Sequence, residues 1–190
     1  MKKKTLLIAV VAIALAVVTA ASVTVAWLNV TSNEVTNTFT YGKIEITLTE
    51  EKGTNTQGID YTRVVPGDKL DKDPTVTVKA KSEDCFVYVL VTNDLGTAAT
   101  YNIDSNIWIE IDSNDNSVLY RYNNDNPVEY SNEDQPLQVF SKIIFSEALT
   151  VSDVKELEKK NVVIKAYAHQ SKNTSQDVAD DAAIEWAGLN

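Results

Sequence analysis

The side chains that most often carry chemistry are scarce in this chain of 190 residues, which has one histidine, His169, and one cysteine, Cys85. Zinc peptidases hold their metal with clustered histidines and carboxylates, often in a His-Glu-x-x-His helix, and the sequence has no such motif. It also lacks the Gly-x-Ser-x-Gly element of serine hydrolases. Because Cys85 begins an apolar run, where a thiolate is disfavoured, we expect it to be a buried core residue. The sequence therefore predicts no catalytic residue and no cofactor, and the protein is not expected to be an enzyme.

The best arrangement of oxygen ligands for a metal ion begins at Asp112. Asp112, Asn114 and Asn116 alternate along the chain as the first ligands of an EF-hand loop do. The match then fails, because Ser117 stands where that loop needs glycine and Asn123 stands where it needs a bidentate glutamate. Asn and Asp are also the usual residues of hairpin turns. We therefore predict no metal site and an ordinary turn, with these three residues as weak calcium candidates.

Strand patterns dominate the elements that must position these side chains. Apolar and polar residues alternate over 38–49 and over 75–79, which is typical of half-buried strands. The run 85–92 is apolar on both faces, which predicts a central strand. Short strands separated by Gly, Pro and Asn turns predict a mainly β fold, an antiparallel β-sandwich. The remaining predicted strands are 61–65, 107–111, 118–122, 137–145 and 162–169.

Two short helices are predicted within this β fold, over 152–160 and over 175–187. For the second helix, Thr174 and Asp177 are the expected N-terminal caps and Gly188 is the expected C-terminal cap. Its large apolar residues recur every fourth position, at Val178, Ala182 and Trp186. We expect this stripe to dock the helix on the sheets.

The N-terminal residues 1–26 have the form of an export signal. Lysines at positions 2–4 precede an uncharged, mostly apolar run over 5–28, as in a signal peptide. Thr24 and Ala26 are the small residues three and one positions before the bond to Trp27, so cleavage after Ala26 is predicted. The run is also long enough to cross a bilayer as an uncleaved helical anchor, and this alternative stays open. Under either alternative, only this segment contacts a membrane, and the rest of the chain works outside the cytoplasm.

Length and charge limit what the exported part can be. Residues after position 26 fit one domain, with a lead-in over 27–37 and the β-sandwich over 38–190. The formal net charge of the chain is −10, and removal of the leader lysines makes the remainder more acidic. Because nucleic acids and anionic lipid surfaces repel an acidic protein, neither is an expected partner. With a single cysteine, the chain forms no internal disulfide.

Several motifs resemble those of proteins exported with a SipW-type signal peptide. A small residue precedes an aromatic one at Ala26-Trp27, an Asn-rich segment follows, and 39–50 resembles the group's Phe-Thr-x-Gly motif and its first strand. Pro66-Gly67-Asp68 with Lys72-Asp73-Pro74 is similar to the group's turn motif. Ala166-Tyr167-Ala168-His169-Gln170, followed by a helix that ends in Trp186-Ala187, is similar to its C-terminal segment. The order and spacing of these motifs carry the resemblance, which is weakest over 94–160.

This group includes the TasA-like biofilm-matrix fibre subunits and the camelysin (CalY-like) surface proteins of Gram-positive bacteria. The resemblance implies a jelly-roll or immunoglobulin-like sandwich, processing by a SipW-like signal peptidase, and secretion to the cell surface or extracellular matrix. Fibre-forming members pass an N-terminal strand into the next subunit. Residues 27–37 would take that part here, and the candidate donor-strand residues are Trp27, Leu28, Val30 and Val35.

Three functions follow from these observations. The expected one is a self-assembling structural protein that binds its own copies or related matrix subunits, although the polar segment 27–37 also fits a lead-in without a role in assembly. Some camelysin-type members have been described as metallopeptidases, which here would need an unusual zinc site at His169. The third is a monomeric surface adhesin or carbohydrate-binding module, whose sugar-stacking candidates would be Tyr101, Trp108, Tyr120, Tyr122 and Tyr130.

Overall fold

Ten strands in three antiparallel sheets form most of the computed structural model, which describes residues 42–50, 64–123, 126–157 and 160–189. Two helices, α1 (Val151–Glu156) and α2 (Gln176–Ala187), complete this part of the chain together with a short 3-10 turn. The predicted mainly β fold with two short helices is confirmed. The strands are β1 (Ile46–Glu50), β2 (Lys69–Asp71), β3 (Pro74–Val78), β4 (Cys85–Asn93), β5 (Ala99–Tyr101), β6 (Trp108–Ser113), β7 (Ser117–Tyr122), β8 (Gln135–Gln138), β9 (Lys142–Phe145) and β10 (Val162–Gln170).

The sheets form the two layers of a β-sandwich. One layer is a four-stranded sheet in the order β10-β4-β7-β6, and the smaller sheets β1-β3-β8 and β2-β9-β5 form the other. Side chains from all three sheets meet in one hydrophobic core between the layers, which is the arrangement that removes most apolar surface from water. Buried members of this core include Val76, Val78, Val87, Val89, Val91, Ile143 and Phe145.

Strand β4 lies at the centre of the molecule and is buried on both faces. Its odd-numbered residues, such as Val87 and Val89, face the core between the layers. Its even-numbered residues, such as Tyr88 and Leu90, face a second cluster that helix α2 covers. This explains why 85–92 reads as a continuous apolar run and not as an alternating one. The predicted central strand is confirmed.

Helix α2 begins and ends with capping residues. Its N-cap is Ser175, whose Oγ accepts a hydrogen bond from the Val178 N–H, so the prediction of Thr174 is wrong by one residue. Gly188 is the C-cap in the left-handed conformation, as predicted. Helix α1 starts at a capping box formed by Thr150 and Asp153.

The face by which α2 docks also differs from the prediction. Ala179 and Ala183 are fully buried against the four-stranded sheet, whereas Val178 is 55% exposed and Trp186 is 37% exposed. Small alanine side chains let the helix approach the aromatic side chains of β4 closely, and larger residues on that face would hold it away. The predicted stripe of Val178, Ala182 and Trp186 therefore flanks the docking face instead of forming it.

Several strand boundaries differ from the sequence pattern. The strand predicted over 137–145 is two strands, β8 and β9, because the chain crosses between the two smaller sheets there. Val64 and Val65 are not in a strand, and 61–63 lie outside the described residues. Strands β2 and β5 have three residues each, which is too short for a periodic signal. Neither helix of the described chain has the length and apolar character that a membrane crossing needs.

Candidate functional site

The residues predicted to act in export and assembly belong to the N-terminal part of the chain. The signal segment 1–26 and the lead-in 27–37 lie outside the described residues. Their predicted roles therefore stay predictions. The residues concerned are Thr24, Ala26, Trp27, Leu28, Val30 and Val35.

The single histidine and the single cysteine lie on the neighbouring strands β10 and β4. His169 is on β10, where its Nδ1 is 2.8 Å from the Tyr167 hydroxyl and shares a hydrogen bond with it. Cys85 is fully buried on β4, and burial raises the pKa of its thiol to about 11. Within residues 42–50, 64–123, 126–157 and 160–189, no three His, Cys, Asp or Glu side chains are placed to hold a metal ion.

The weak calcium candidates lie in the hairpin that joins β6 and β7, where a hairpin connection was predicted. The Asn114 Oδ1 accepts hydrogen bonds from the backbone N–H groups of Ser117 (2.9 Å) and Asn116 (3.3 Å). The Asp112 Oδ1 accepts one from the Ser113 N–H at 2.8 Å. These oxygens are used to hold the turn, as Asx-type turn residues do.

Most of the aromatic residues weighed as sugar-stacking candidates belong to the interior. Trp108 and Tyr120 are buried, and the hydroxyl groups of Tyr101 and Tyr120 share a hydrogen bond of 2.9 Å. Burial raises the pKa of Tyr120 well above its usual range. Of the five, Tyr130 alone is largely exposed, at 51%. An isolated exposed tyrosine does not form a stacking platform.

The candidate site that the structure presents is the outer edge of β10. The Asp94 N–H donates to the Asn161 carbonyl and the Ser171 N–H donates to the Asp84 carbonyl, each at 3.0 Å. Hydrogen-bonded and non-hydrogen-bonded residue pairs alternate along an antiparallel ladder. These two bonds, one at each end of β10, therefore determine which of its residues bond to β4. Odd-numbered residues of β10 bond to β4, and even-numbered residues direct their N–H and C=O groups away from it. No other strand of the described chain pairs with these outward groups.

The inner face of this edge is apolar and incompletely covered. Ile164, Ala166 and Ala168 point from β10 into the core between the layers, yet each is only partly buried. Ile46 and Leu48 of β1, on the facing layer, are also only partly buried. The core is therefore thinner here than at β4, and an added apolar side chain would find partners on both layers.

The outer face of the same edge is bordered by α2. The Trp186 ring stacks on the Tyr167 ring of β10, with 5.3 Å between the centroids and 20° between the planes. The described chain exposes six large hydrophobic residues, and three of them, Val163, Val178 and Trp186, lie on β10 or α2. Half of the large hydrophobic residues exposed in the described chain therefore lie on the two elements that border this edge.

A buried polar network fixes α2 in this position. The Asp180 Oδ1 accepts a hydrogen bond from the Tyr88 hydroxyl at 2.8 Å, and Asp180 Oδ2 pairs with Arg121 of β7. Burial, followed by this hydrogen bond, raises the pKa of Tyr88 well above its usual range. Removal of one partner would leave a charge in a dry environment, so the network holds the helix in one place.

Comparisons with protein-family models, with curated proteins and with solved structures find no match to this chain. The site is therefore interpreted from its own geometry. It offers backbone hydrogen-bonding groups between two apolar borders, which suits the binding of an extended strand. The sequence held a partial signal for it, because 162–170 has neither proline nor glycine.

Proposed function

We propose that this protein is an exported structural protein of the cell surface or extracellular matrix that self-assembles by strand addition. The observation that carries the proposal is the nine-residue edge of β10, whose outward N–H and C=O groups have no strand partner in the described residues. Such an edge is a template for another chain unless a protein protects it. Added backbone hydrogen bonds give affinity, and side-chain pockets on the two borders give selectivity.

The donor strand in this proposal is the segment 27–37 of another copy. Its apolar residues Trp27, Leu28 and Val30 are close together, and the partly covered core beside Ala166 and Ala168 has the aliphatic character to receive such side chains. A donor passed from one copy to the next is a heterologous contact, which generates a filament when the rotation does not close.

Export supports the same function. The lysines at positions 2–4 and the apolar run over 5–28 would send the domain across the membrane, where a SipW-like signal peptidase would release it after Ala26. Such a cleavage would free Trp27 at the new N-terminus. The motif resemblance to TasA-like and camelysin-type proteins adds a Gram-positive cell surface as the expected location.

The test compares assembly of the mature protein with that of two segment variants. In one variant Trp27, Leu28, Val30 and Val35 are all changed to serine. In the matched control the same number of polar residues is changed to serine, at Asn29, Thr31, Asn33 and Thr36. We expect negative-stain filaments or ladders from the wild type and the control, and monomers from the first variant.

Two results would overturn this function. The first is a wild-type protein that stays monomeric at high concentration under conditions in which it is folded. The second is casein cleavage by the purified protein that a chelator blocks and that the His169→Ala substitution abolishes. That result would instead establish the metallopeptidase alternative.

A further inference from the structure

We infer that the exposed stripe of α2 forms the outer wall of the strand-docking groove and packs against Trp27 of a second copy. The stripe consists of Val178, Ala182 and Trp186. This inference rests on the proposed function, since it assigns the contact that selects the donor strand. It goes beyond strand pairing, because any extended peptide can pair with a bare edge whereas only one with a suitable outward side chain can use this wall.

The stripe lies on the side of α2 that faces the free edge. Val178, Ala182 and Trp186 are four residues apart and therefore share one side of the helix. Trp186 stacks on Tyr167 of β10, the edge strand. Asp180, on the other side of the buried face, reaches Arg121 of β7, which is further inside the sheet. The helix thus presents the stripe toward the space in which an added strand would run beside β10.

The exposure of the stripe is not explained by the packing of α2. The buried residues Ala179 and Ala183 dock the helix, while Val178 remains 55% exposed and Trp186 37% exposed. The side of α2 that faces water carries charged residues instead, namely Asp177, Asp181 and Glu185. Exposed Val178 and Trp186 at the border with β10 are therefore typical of a surface that contacts another molecule.

The segment 27–37 would present apolar side chains to both borders of this groove, because two large apolar residues are adjacent at Trp27 and Leu28. Successive side chains of a strand point to opposite faces, so Trp27 and Leu28 of a donor strand would point to opposite borders. Leu28 and Val30 share one face and suit the inner border, where the small side chains of Ala166 and Ala168 leave room. Trp27 then faces outward against the stripe, where its ring packs over the small Ala182 between Val178 and Trp186.

A second copy is a better source of this strand than the same molecule. The Glu83 N–H donates to the Lys43 carbonyl at 2.9 Å and the Ser171 N–H donates to the Asp84 carbonyl, so Gly42 lies at the end of β10 where Gln170 is. A strand of the same molecule that ran directly into Gly42 would be parallel to β10. Every pairing in the described sheets is antiparallel, and a strand from another copy is free to approach in that direction.

The first experiment places a charge on the wall without disturbing the helix. In Val178→Glu the new side chain stands three residues after Ser175, the N-cap, where glutamate suits a capping box. The matched control is Val65→Glu, because Val65 is 54% exposed and precedes β2 in a different sheet. We expect Val178→Glu to raise the concentration needed for assembly by roughly tenfold or more, the effect of losing one buried valine contact, and Val65→Glu to leave it unchanged.

The second experiment locates the contact by cross-linking under mild oxidation. We expect Trp27→Cys/Val178→Cys to give a ladder of disulfide-linked oligomers, and Trp27→Cys/Val65→Cys to give none. Cys85 is fully buried and does not compete. An internal disulfide in a monomer would overturn the assignment to a second copy. Linked dimers from Val178→Cys alone would also overturn it, because they indicate symmetric pairing of two β10 edges.

The outcomes separate this inference from the proposed function. Assembly that needs the apolar residues of 27–37 but is unaffected by Val178→Glu, with no ladder, would retain strand addition and refute the role of α2. A wild type that does not assemble at all would remove the proposed function and this inference together.

Discussion

The strand edges on the two lateral sides of the sandwich differ in how far they are protected against pairing with another strand. On one side the four-stranded sheet ends in β10, and on the other it ends in β6, beside which β8 ends one of the smaller sheets. Both sides have backbone groups that could pair with another chain. Along β10 these groups have no strand partner in the described residues, whereas some of those along β8 and β6 are occupied or removed.

The edge of β8 is closed by two features. The Val139 N–H donates to the Pro74 carbonyl at 2.9 Å, which places the outward-directed groups of β8 at Pro136 and Gln138. Pro136 has no N–H to offer. The Gln138 carbonyl already accepts a hydrogen bond from Trp108 Nε1 at 2.8 Å. Among the outward groups of β8, an incoming strand would therefore meet one missing donor and one occupied acceptor.

The edge of β6 is protected in another way. Its outward N–H at Trp108 donates to the Asp104 carbonyl at 2.8 Å. A bulge follows between Glu110 and Asp112, and both residues carry carboxylates. Bulges, prolines and charges are the common means by which proteins keep sheet edges from pairing. The open groove of about 320 Å³ between these strands is lined by Trp108 and Leu137 and does not present a pairing edge.

Strand β10 has neither a bulge nor a proline. It is regular over Val162–Gln170 and pairs with β4 along its whole length without a bulge. Its one formally charged residue is Lys165, whose backbone groups bond to β4. The exposure of β10 is therefore selective, because the same sheet ends at β6 in an edge that carries a bulge and a local backbone hydrogen bond. This is the physical basis for assigning assembly to β10.

The largest effect is expected from giving β10 the protection that β8 has. In Ala168→Pro the lost N–H points away from β4, so the internal ladder stays intact while the edge loses a donor and gains a bulky ring. We expect the concentration needed for assembly to rise roughly 100-fold, since backbone pairing is broken within the site. Sedimentation of assembled protein across a concentration series measures this.

The matched control for this prediction is Ala168→Ser, which keeps the N–H. It is expected to assemble within about twofold of the wild type, because a small polar group at a partly buried position changes little. If Ala168→Pro remains folded by circular dichroism and assembles like the wild type, β10 is not the acceptor edge.

The next largest effect concerns the closed side. Trp108→Phe removes the Nε1 hydrogen bond to Gln138 and leaves a gap at a residue that is 1% exposed. We expect a loss of about 3 kcal/mol in the free energy of unfolding, from the lost bond and the cavity together. Trp186→Phe is the matched control on the open side, with an expected loss below about 1 kcal/mol. Similar losses in urea denaturation would contradict the contrast between the two sides.

A third prediction tests whether β10 is firmly attached despite its bare edge. Cys85 is opposite Gln170 of β10, and burial raises the pKa of its thiol from an ordinary value of 9.0 to about 11. A raised folded-state pKa gives a contribution to stability that is complete below pH 9 and is lost as the pH rises to about 11. We expect a decline of roughly 2 kcal/mol over this window from the thiol alone.

Urea denaturation at several pH values measures that decline, with Cys85→Ala as the comparison. The substitution removes the thiol, so the difference in unfolding free energy between the two proteins is expected to shrink above pH 9. A constant difference across the window would mean that Cys85 is accessible to water and that this end of β10 frays.

The smallest effect is expected from removing the proline of β8, the opposite of the change proposed for β10. Pro136→Ala restores one outward N–H, yet the Gln138 carbonyl stays occupied by Trp108. The free energy of unfolding should change by less than about 1 kcal/mol, and no new assembly is expected. Light scattering of this variant in a background with Ala168→Pro provides the check. Recovery of assembly there would show that Pro136 alone keeps this side closed.

The sequence predicted the elements whose signals are local. The apolar run from Cys85 and the terminal Gly188 each depend on neighbours in the chain. The hairpin after Asp112 is of the same kind. Propensity and turn chemistry act over a few residues, so these features can be inferred without knowledge of the fold.

The site could not be predicted in the same way, because it depends on which strands become neighbours. That β10 pairs with β4 and ends the sheet is a non-local outcome, because five other strands and helix α1 lie between them along the chain. The docking face of α2 was also missed, since Ala179 and Ala183 are less hydrophobic than Val178 and Trp186. Close approach and the ion pair of Asp180 with the buried Arg121 decide that face, and neither can be inferred from periodicity.

Hydrogen exchange of the β10 amides tests the central claim most directly. In the unassembled variant with serine at the four donor positions, Ala166 and Ala168 should exchange fast while Lys165 and Tyr167 are protected by their bonds to β4. In the assembled wild type this alternation should disappear, because the added strand protects the even-numbered amides as well. Fast exchange at Ala166 and Ala168 in fully assembled protein would contradict strand addition at β10.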